Sequence, residues 1–254
     1  MSREFHIDEN VSEKQLNHQS TSLVIPHITR VKIHNSMYHK VNLDTASLRG
    51  NSMIQLTKTM VRDLGNCRGG ARQMPIVCGG VEFKCLLMKL IYIKPKWDQL
   101  LVILQKGNEK SSKFDNKYLV VLILLYLRIQ YYFLPRRSRK GRISSVRDFG
   151  KQDRVSSDHL QDLMKIYIGD YRKVKSMGLC ADCWAQPGTQ NVEVLHIDEI
   201  VDWLCTQKQI WGIPLGQCQW SNIYEDDESS DTESSDTESS DIRSSDDENN
   251  GSDS

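Results

Sequence analysis

A histidine and three carboxylates lie close together near the carboxyl end of the chain and could support acid–base chemistry. They are His196, Asp198, Glu199 and Asp202. On a helix, Asp198 and Asp202 share a face, and Glu199 lies within one turn of Asp202. Carboxylates in a first turn also interact favourably with the helix dipole, without any catalytic role. Because the sequence supplies no nucleophile or second histidine nearby, a charged face that docks a partner is favoured over catalysis.

The same carboxylates have a structural alternative within the fold. Asp198 or Asp202 could pair with Arg172 or Lys173, which belong to a charged run at 170–175. Such ion pairs would brace the domain instead of binding a partner. Both interpretations stay open, and the candidate docking residues are Arg172, Lys173, Asp198, Glu199 and Asp202.

Two cysteines, Cys180 and Cys183, have the CxxC spacing that zinc sites and redox motifs use. A zinc site needs four ligands, and the nearby His196 and Cys205 do not complete a known spacing. We therefore expect no metal and no cofactor, and we expect both cysteines to lie in a small ribbon. Seven irregularly spaced cysteines, and an amino terminus unlike a signal peptide, favour reduced thiols in the nucleus or cytosol.

Charge divides the chain into a basic body and an acidic tail. From Glu225 onward there are 13 acidic residues and one basic residue, whereas residues 1–224 hold 32 basic and 20 acidic residues. A basic body favours an acidic partner, either nucleic acid or an acidic protein surface, and the tail could compete for the same surface. The alternative is a tail that only keeps the protein soluble.

Two low-complexity segments carry further candidate sites. Residues 135–156 lack periodicity, and we interpret them as a surface loop or flexible insert. Its basic run could be a nuclear-import or phosphate-binding patch, and a solvated loop without such a role is an equal alternative. The basic residues of this patch are Arg136, Arg137, Arg139, Lys140 and Arg142. The tail repeats Ser-Ser-Asp, and its candidate phosphorylation sites have an acidic residue three places on: Ser230, Ser235, Ser244 and Ser245. Each phosphate would add roughly −1.5 to −2 charge.

Hydrophobic periodicity predicts a mainly α fold, with one compact multi-helix domain and a possible short two-stranded ribbon. We expect an amino-terminal arm at 1–25, the helical domain at 26–224 and a disordered tail at 225–254. Residues 114–134 form an apolar helix, which we expect to lie buried at the centre, since about 20 apolar residues are needed to span a bilayer.

The periodicity places about seven helices in this domain. The first opens at Pro26 with an inward stripe, and the second is capped by Thr45. The stripe residues are Ile28, Val31, Tyr38 and Val41 in the first, and Leu48, Leu56, Met60 and Leu64 in the second. Further helices are expected at 81–93, 97–105 and 114–134.

The carboxyl-terminal third is predicted to hold two more helices and a ribbon. A long helix runs from Ser157 to about 175 and stops near Gly178, with Leu160, Tyr167, Tyr171 and Val174 on one stripe. The ribbon uses 180–184 and 192–196 around a Pro-Gly turn, and the last helix spans 196–204. Residues 210–220 are expected to pack as an irregular strap.

Several motifs occur in order along the body. They are KIHNSMYHK at 32–40, GGVEFKCLLMKL at 79–90, YLR at 126–128, DYRK at 170–173 and HIDEIVD at 196–202. In this order and spacing they resemble the pre-mRNA-splicing factor 38 family, and the short acidic, serine-rich tail is similar to that of its budding-yeast branch. The Leu-Glu-Pro that family members usually carry before DYRK is Met164-Lys165-Ile166 here, and the Arg/Ser-rich tail of animal members is missing.

The resemblance implies a nuclear, non-enzymatic component of the U4/U6.U5 tri-snRNP. Such proteins enter the precatalytic spliceosome and are needed for its activation, when U4 leaves U6, before the first catalytic step. The helical domain would be a protein-binding scaffold, with a zinc-finger splicing protein and a long helical splicing protein as partners and no membrane contact. Direct RNA binding by the basic body is the alternative, although the aromatic signature of an RNA-recognition motif is missing.

Overall fold

The computed structural model describes residues 25–43, 52–67, 76–106, 114–131, 157–184 and 192–215, and these form a mainly helical domain, as predicted. The helices are α1 (His27–Asn35), α2 (Met37–Asn42), α3 (Met53–Leu64), α4 (Val81–Ile93), α5 (Trp97–Lys106), α6 (Lys117–Gln130), α7 (Ser157–Tyr167) and α8 (Ile197–Thr206). The strands are β1 (Asn66–Cys67), β2 (Phe114–Asp115), β3 (Lys173–Met177), β4 (Val192–His196), β5 (Gln209–Ile210) and β6 (Ile213–Pro214). They pair as three antiparallel ribbons, β1 with β2, β3 with β4 and β5 with β6.

Helix α6 is the centre of the domain. Every residue from Leu119 to Gln130 is buried, and helices α3, α4, α5, α7 and α8 pack around it. The prediction of a buried central helix is confirmed. The helix begins at Lys117 instead of Phe114, because Phe114 and Asp115 pair with β1. None of the described helices is both long and apolar enough to cross a membrane.

Helix α4 has its predicted bounds and carries two buried lysines that tie it to other elements. Lys84 Nζ donates to Asp182 Oδ1 at 2.6 Å, and Lys89 Nζ donates to the carbonyl oxygen of Leu43 at 3.0 Å. A buried ammonium group is tolerated only when it is hydrogen-bonded or paired in this way. These two bonds hold the turn after β3 and the end of α2 against α4.

The predicted inward stripe of the first helix is wrong at three of its four positions, whereas Tyr38 packs against the core as predicted. Ile28, Val31 and Val41 are exposed, whereas Thr29, Arg30 and Ile33 face the core. The polar side chain is accommodated because Arg30 Nη1 donates to the carbonyl oxygen of Ile25 at 2.9 Å. Sequence periodicity cannot tell which side of a weakly amphipathic helix faces inward when a buried arginine finds a local acceptor.

Serine caps set the boundaries of the next two helices. Ser36 separates α1 from α2 and accepts from His39 N, and Ser52 begins α3 by accepting from Gln55 N. On α3, Leu56, Met60 and Leu64 are buried as predicted. The predicted cap Thr45 and the predicted stripe residue Leu48 lie outside the described residues.

The long helix predicted from Ser157 is too long. Helix α7 ends at Tyr167, and part of the segment expected to continue it forms β3. Tyr171, which was predicted to lie on the apolar stripe, is 70% exposed, and Gly178 follows a strand instead of a helix. Strand β3 is held on both edges, because it pairs with β4 and also binds Cys78. Cys78 N donates to Lys175 O, and Met177 N donates to Cys78 O, both at 2.9 Å. These long-range bonds outweigh the local helical preference.

The ribbon exists, but one of its predicted strands is wrong. Strand β4 spans Val192–His196 as expected, and its partner is β3 instead of residues 180–184. Those residues form turns, in which Ala181 N donates to Gly178 O at 2.8 Å. Cys180 and Cys183 therefore lie outside the ribbon.

The predicted strap begins as a tight hairpin. Between β5 and β6, Trp211 and Gly212 both have positive φ, 49° and 73°, the geometry of a two-residue type I′ turn. Trp211 is fully buried, its ring lies edge-on to Phe83 at 5.4 Å, and its Nε1 donates to Met177 O at 3.1 Å. The indole also covers Gly79, whose φ of 78° and lack of Cβ permit this approach.

The described residues belong to one compact unit, Met1–Tyr224. The predicted arm at 1–25, except for Ile25, the basic insert at 135–156 and the tail at 225–254 lie outside the described residues. The domain boundaries therefore stay predictions.

Candidate partner-binding surface

The predicted docking residues converge on one corner of the domain, where β3, β4 and the start of α8 meet. We call it the ribbon–helix corner and define it as residues 170–177 and 192–202. Arg172 and Lys173 lie at its β3 side, and Asp198, Glu199 and Asp202 lie on α8. The charged motifs at 170–173 and 196–202, which are separated in sequence, are therefore neighbours in the fold.

Arg172 is held inside this corner by hydrogen bonds to the rest of the domain. Its Nη1 donates to Asp115 Oδ1 at 3.1 Å and to Asn116 Oδ1 at 3.0 Å, and its Nη2 donates to Asp170 Oδ2 at 2.6 Å. Burial alone would lower the pKa of the guanidinium, but the hydrogen bond and charge of Asp170 raise it. The backbone oxygen of Arg172 also accepts from Ile197 N at 3.2 Å. Arg172 therefore joins the start of α6 to the start of α8.

Glu199 closes the amino terminus of α8. Its Oε1 accepts from His196 N at 3.3 Å and lies 2.7 Å from His196 Nδ1. Asp198 N donates to Asp170 O at 3.2 Å, which fixes the same end of the helix to the DYRK loop. Potential metal-ligating atoms of His196, Asp198 and Glu199 lie within 4.8 Å of one another. The helix cap accounts for this proximity, because His196 and Glu199 already bind each other.

The pairing of Arg172 with Asp198 or Asp202, offered as the bracing alternative, is wrong, although Arg172 does brace the fold through other carboxylates. Its carboxylate partners among the described residues are Asp170 and Asp115, and neither Asp198 nor Asp202 pairs with it. The acceptors come from the loop before β3 and from β2, elements that the sequence placed within helices. Asp198 Oδ1 is buried and has no hydrogen-bond partner within the described part of the chain.

The outer face of the ribbon is exposed and combines basic with apolar side chains. Lys173 and Lys175 are exposed on β3 and lie opposite His196 and Val194 in the antiparallel register. Of the predicted docking residues, Lys173 and Glu199 are exposed, and Lys173 is the one that lies on this face of the ribbon. Its apolar neighbours were missed by sequence reasoning: Tyr171 is 70% exposed, Val192 50% and Val194 60%. The alternating Val-Glu-Val-Leu-His of β4 was the available signal.

A second exposed apolar surface lies on α1 and α2, and we call it the amino-terminal helix face. It consists of Ile28, Val31, Met37 and Val41. Sequence reasoning assigned three of these four to the core. On each helix the two side chains are three or four residues apart and therefore share a face. Exposed apolar side chains of this size are typical of a surface that a partner covers.

The CxxC pair shows no sign of a shared site among the described residues. Cys180 is exposed and Cys183 is buried, and neither forms a disulfide within the described part of the chain. Burial raises the pKa of Cys183 despite the nearby ammonium of Lys84. A buried thiol with a raised pKa is a poor nucleophile and a poor metal ligand.

The remaining candidate residues lie outside the described residues. They are the basic patch of Arg136, Arg137, Arg139, Lys140 and Arg142, and the serines Ser230, Ser235, Ser244 and Ser245. Import, phosphate binding and phosphorylation at these positions stay predictions.

Comparison with known proteins supplies the relationship that the motifs indicated. The PRP38 family model matches residues 14–228. Pre-mRNA-splicing factor 38 of Saccharomyces cerevisiae is 47% identical over 228 residues, which cover 89% of this chain and 90% of that protein. A solved structure, the Snu23–Prp38–MFAP1(217–258) complex of Chaetomium thermophilum, contains a chain with a TM-score of 0.47 and 20% identity, covering 84% of this chain and 86% of that one. The family match spans most of the sequence, and the chain belongs to the PRP38 family.

Proposed function

We propose that this chain is a pre-mRNA-splicing factor that acts as a non-enzymatic scaffold. The observation that carries the proposal is the 47% identity to a pre-mRNA-splicing factor along nearly the whole of both chains. We further propose that it works in the nucleus, as a component of the U4/U6.U5 tri-snRNP that is needed for activation, when U4 leaves U6. Two residues of the charged motifs have structural roles, because Arg172 braces the fold and Glu199 caps a helix. These roles support a scaffold.

Two open surfaces support binding to other spliceosomal proteins. The outer face of the ribbon offers Lys173, Lys175 and Val194, which suit a partner with acidic and apolar side chains. The amino-terminal helix face offers an apolar stripe, which suits the apolar side of an amphipathic helix. We propose a zinc-finger splicing protein and a long helical splicing protein as the two partners.

Affinity purification of the tagged full-length chain tests this proposal. At low salt we expect the U4, U5 and U6 snRNAs with splicing proteins, and at salt high enough to remove RNA we expect the directly bound splicing proteins to remain. A preparation that lacks these snRNAs and every splicing protein would contradict the proposal.

A pair of variants on α2 separates surface binding from folding. Val41→Asp places a charge in the amino-terminal helix face, and Lys40→Asp changes the charge of its exposed neighbour. Both sites are exposed, so the stability of both should stay within about 0.5 kcal/mol of the unmodified chain. We expect only Val41→Asp to lose a splicing protein at high salt. Equal retention by both variants would remove this face from the proposal.

Direct RNA binding is the second candidate, and the excess of basic residues in 1–224 favours it. Titration of a U4/U6 duplex against the purified chain at several salt concentrations tests it. A steep fall of affinity with salt, with binding retained at physiological salt, would support RNA contact. Weak binding at physiological salt would leave the protein scaffold as the function.

A further inference from the structure

The edge of β3 that faces away from β4 is occupied at Lys175 and Met177 by bonds to other parts of the domain. Lys175 O accepts from Cys78 N at 2.9 Å, Lys175 N donates to Tyr118 Oη at 3.0 Å, and Met177 N donates to Cys78 O at 2.9 Å. Backbone groups alternate between the two edges of a strand. The odd-numbered residues of β3 therefore point away from β4, and Val174 and Ser176 make the ladder to it.

The register then determines which groups of β4 face outward. Lys175 lies opposite Val194 and Met177 lies opposite Val192, so these are the non-hydrogen-bonded pairs of the ladder. Val192 and Val194 consequently direct their N–H and C=O groups to the far edge of β4. Within the described part of the chain, these backbone groups have no partner, and the two side chains are 50% and 60% exposed.

Apart from the exposed charged side chain of Glu193, this edge lacks the devices that proteins use to block strand addition. Natural edge strands are usually shortened, bulged, or protected by proline or lysine. Strand β4 is five residues long, regular in register, and carries two exposed valines. A sheet edge of this kind is ready to accept another strand.

The surroundings of the edge indicate the chemistry of that strand. Lys173 and Lys175 lie on the outer face of the neighbouring strand, and Val194 lies between them and the edge. A strand added beside β4 would place apolar side chains against the valines. Its acidic side chains on the same face would approach the two ammonium groups.

We propose that an extended segment of a partner protein, with apolar and acidic residues on its outward face, adds to β4 as a third strand of the ribbon. The inference rests on the proposed scaffold function and specifies how one of its partners binds. Main-chain hydrogen bonds at Val192 and Val194 hold the segment, and the lysines of β3 select its charge. Nucleic acid would be attracted by the same lysines but would not form the backbone ladder.

Amide hydrogen exchange at single-residue resolution tests the ladder directly. The full-length tagged chain is measured alone and in the complex that copurifies with it at high salt. In the free chain, the amides of Glu193 and Leu195 should already be protected by β3, and those of Val192 and Val194 should exchange rapidly. In the complex we expect the exchange of Val192 and Val194 to slow by about a hundredfold or more, which makes protection continuous along the strand.

Two substitutions at the same position provide the matched test. Val194→Pro removes the outward N–H that the added strand needs, whereas Val194→Thr keeps the donor and the β-branched shape. The proline is compatible with the ribbon because this N–H does not bind β3, and protection of Glu193 and Leu195 shows whether the ribbon is intact. We expect about tenfold weaker binding for Val194→Pro than for Val194→Thr.

The outcomes separate this inference from the proposed function. Splicing proteins that copurify while Val192 and Val194 stay unprotected would overturn the added strand and leave the scaffold function standing. Failure to copurify any splicing protein would overturn the scaffold function itself. RNA binding that depends on Lys173 and Lys175, without amide protection on β4, would assign this face to nucleic acid and also overturn the inference.

Discussion

Replacing Arg172 by alanine should destabilise the domain, because this side chain joins three elements. Its guanidinium binds Asp170, Asp115 and Asn116, and the side chain is only 27% exposed. Truncation leaves Asp170, at 16% exposure, without its cation, and leaves Asp115, at 13% exposure, with only the ammonium of Lys117 at 3.9 Å. Hydrogen bonds to charged groups contribute about 1.5–3 kcal/mol each and are not additive.

Partial solvent screening reduces the sum of these contributions, so we expect a loss of about 3 kcal/mol in the free energy of unfolding. For a domain of this size, that loss corresponds to a fall in Tm of roughly 6–12 °C. Arg172→Lys should lie between Arg172→Ala and the unmodified chain, because lysine keeps the charge but not the planar fork of donors.

Thermal and urea unfolding of the purified chain provide the assay, with Lys173→Ala as the matched control. Lys173 is the next residue and is exposed, so its truncation should change the stability by less than about 0.5 kcal/mol. If Arg172→Ala unfolds at the temperature of Lys173→Ala and loses a splicing partner instead, the bracing role is wrong. Arg172 would then be a docking residue.

Three further changes test the packing. Gly79→Ala should lower the free energy of unfolding by about 3 kcal/mol in a urea titration, because the indole of Trp211 occupies the Cβ position and φ is 78°. The control Gly169→Ala, in open surroundings, should lower it by less than about 1 kcal/mol. Tyr126→Phe should be neutral or stabilise by up to about 1 kcal/mol in thermal unfolding, because the buried hydroxyl has no hydrogen-bond partner among the described residues; a large loss would show that it has one. Burial raises the pKa of Cys85 from 9.0 to about 12, so this thiol ionises at lower pH in the unfolded chain than in the folded one. The free energy of unfolding should therefore fall as the pH rises from 9 to 12, and it should fall less steeply in Cys85→Ala.

The sequence predicted the parts of the fold that depend on long apolar runs. Helices α4 and α6 are buried on most sides, so their existence and position follow from composition over a dozen residues. The same reasoning failed at α1, where Arg30 faces inward and Ile28 outward. Hydrophobic pattern predicts which segment is a helix more reliably than which side of it faces the core.

The transition from α7 to β3 was missed because its determinants are distant in sequence. The residues Tyr-Arg-Lys-Val-Lys fit a helical stripe and also an alternating strand. The choice is made by Cys78, by β4 and by the Arg172 brace to β2 and Asn116, none of which lies next to the segment. The charged residues predicted to dock a partner are therefore neighbours in the fold, but the apolar residues on β4 beside them could not be assigned to the same surface from the sequence.

Depletion of this protein from a splicing-competent nuclear extract is the decisive test of its proposed role in spliceosome activation. We expect the depleted extract to assemble complexes that retain U4 and stop before the first catalytic step. Purified chain should restore U4 release and splicing, and the Gly169→Ala variant should do so equally well. Normal U4 release and splicing in a fully depleted extract would show that the protein is not needed for activation.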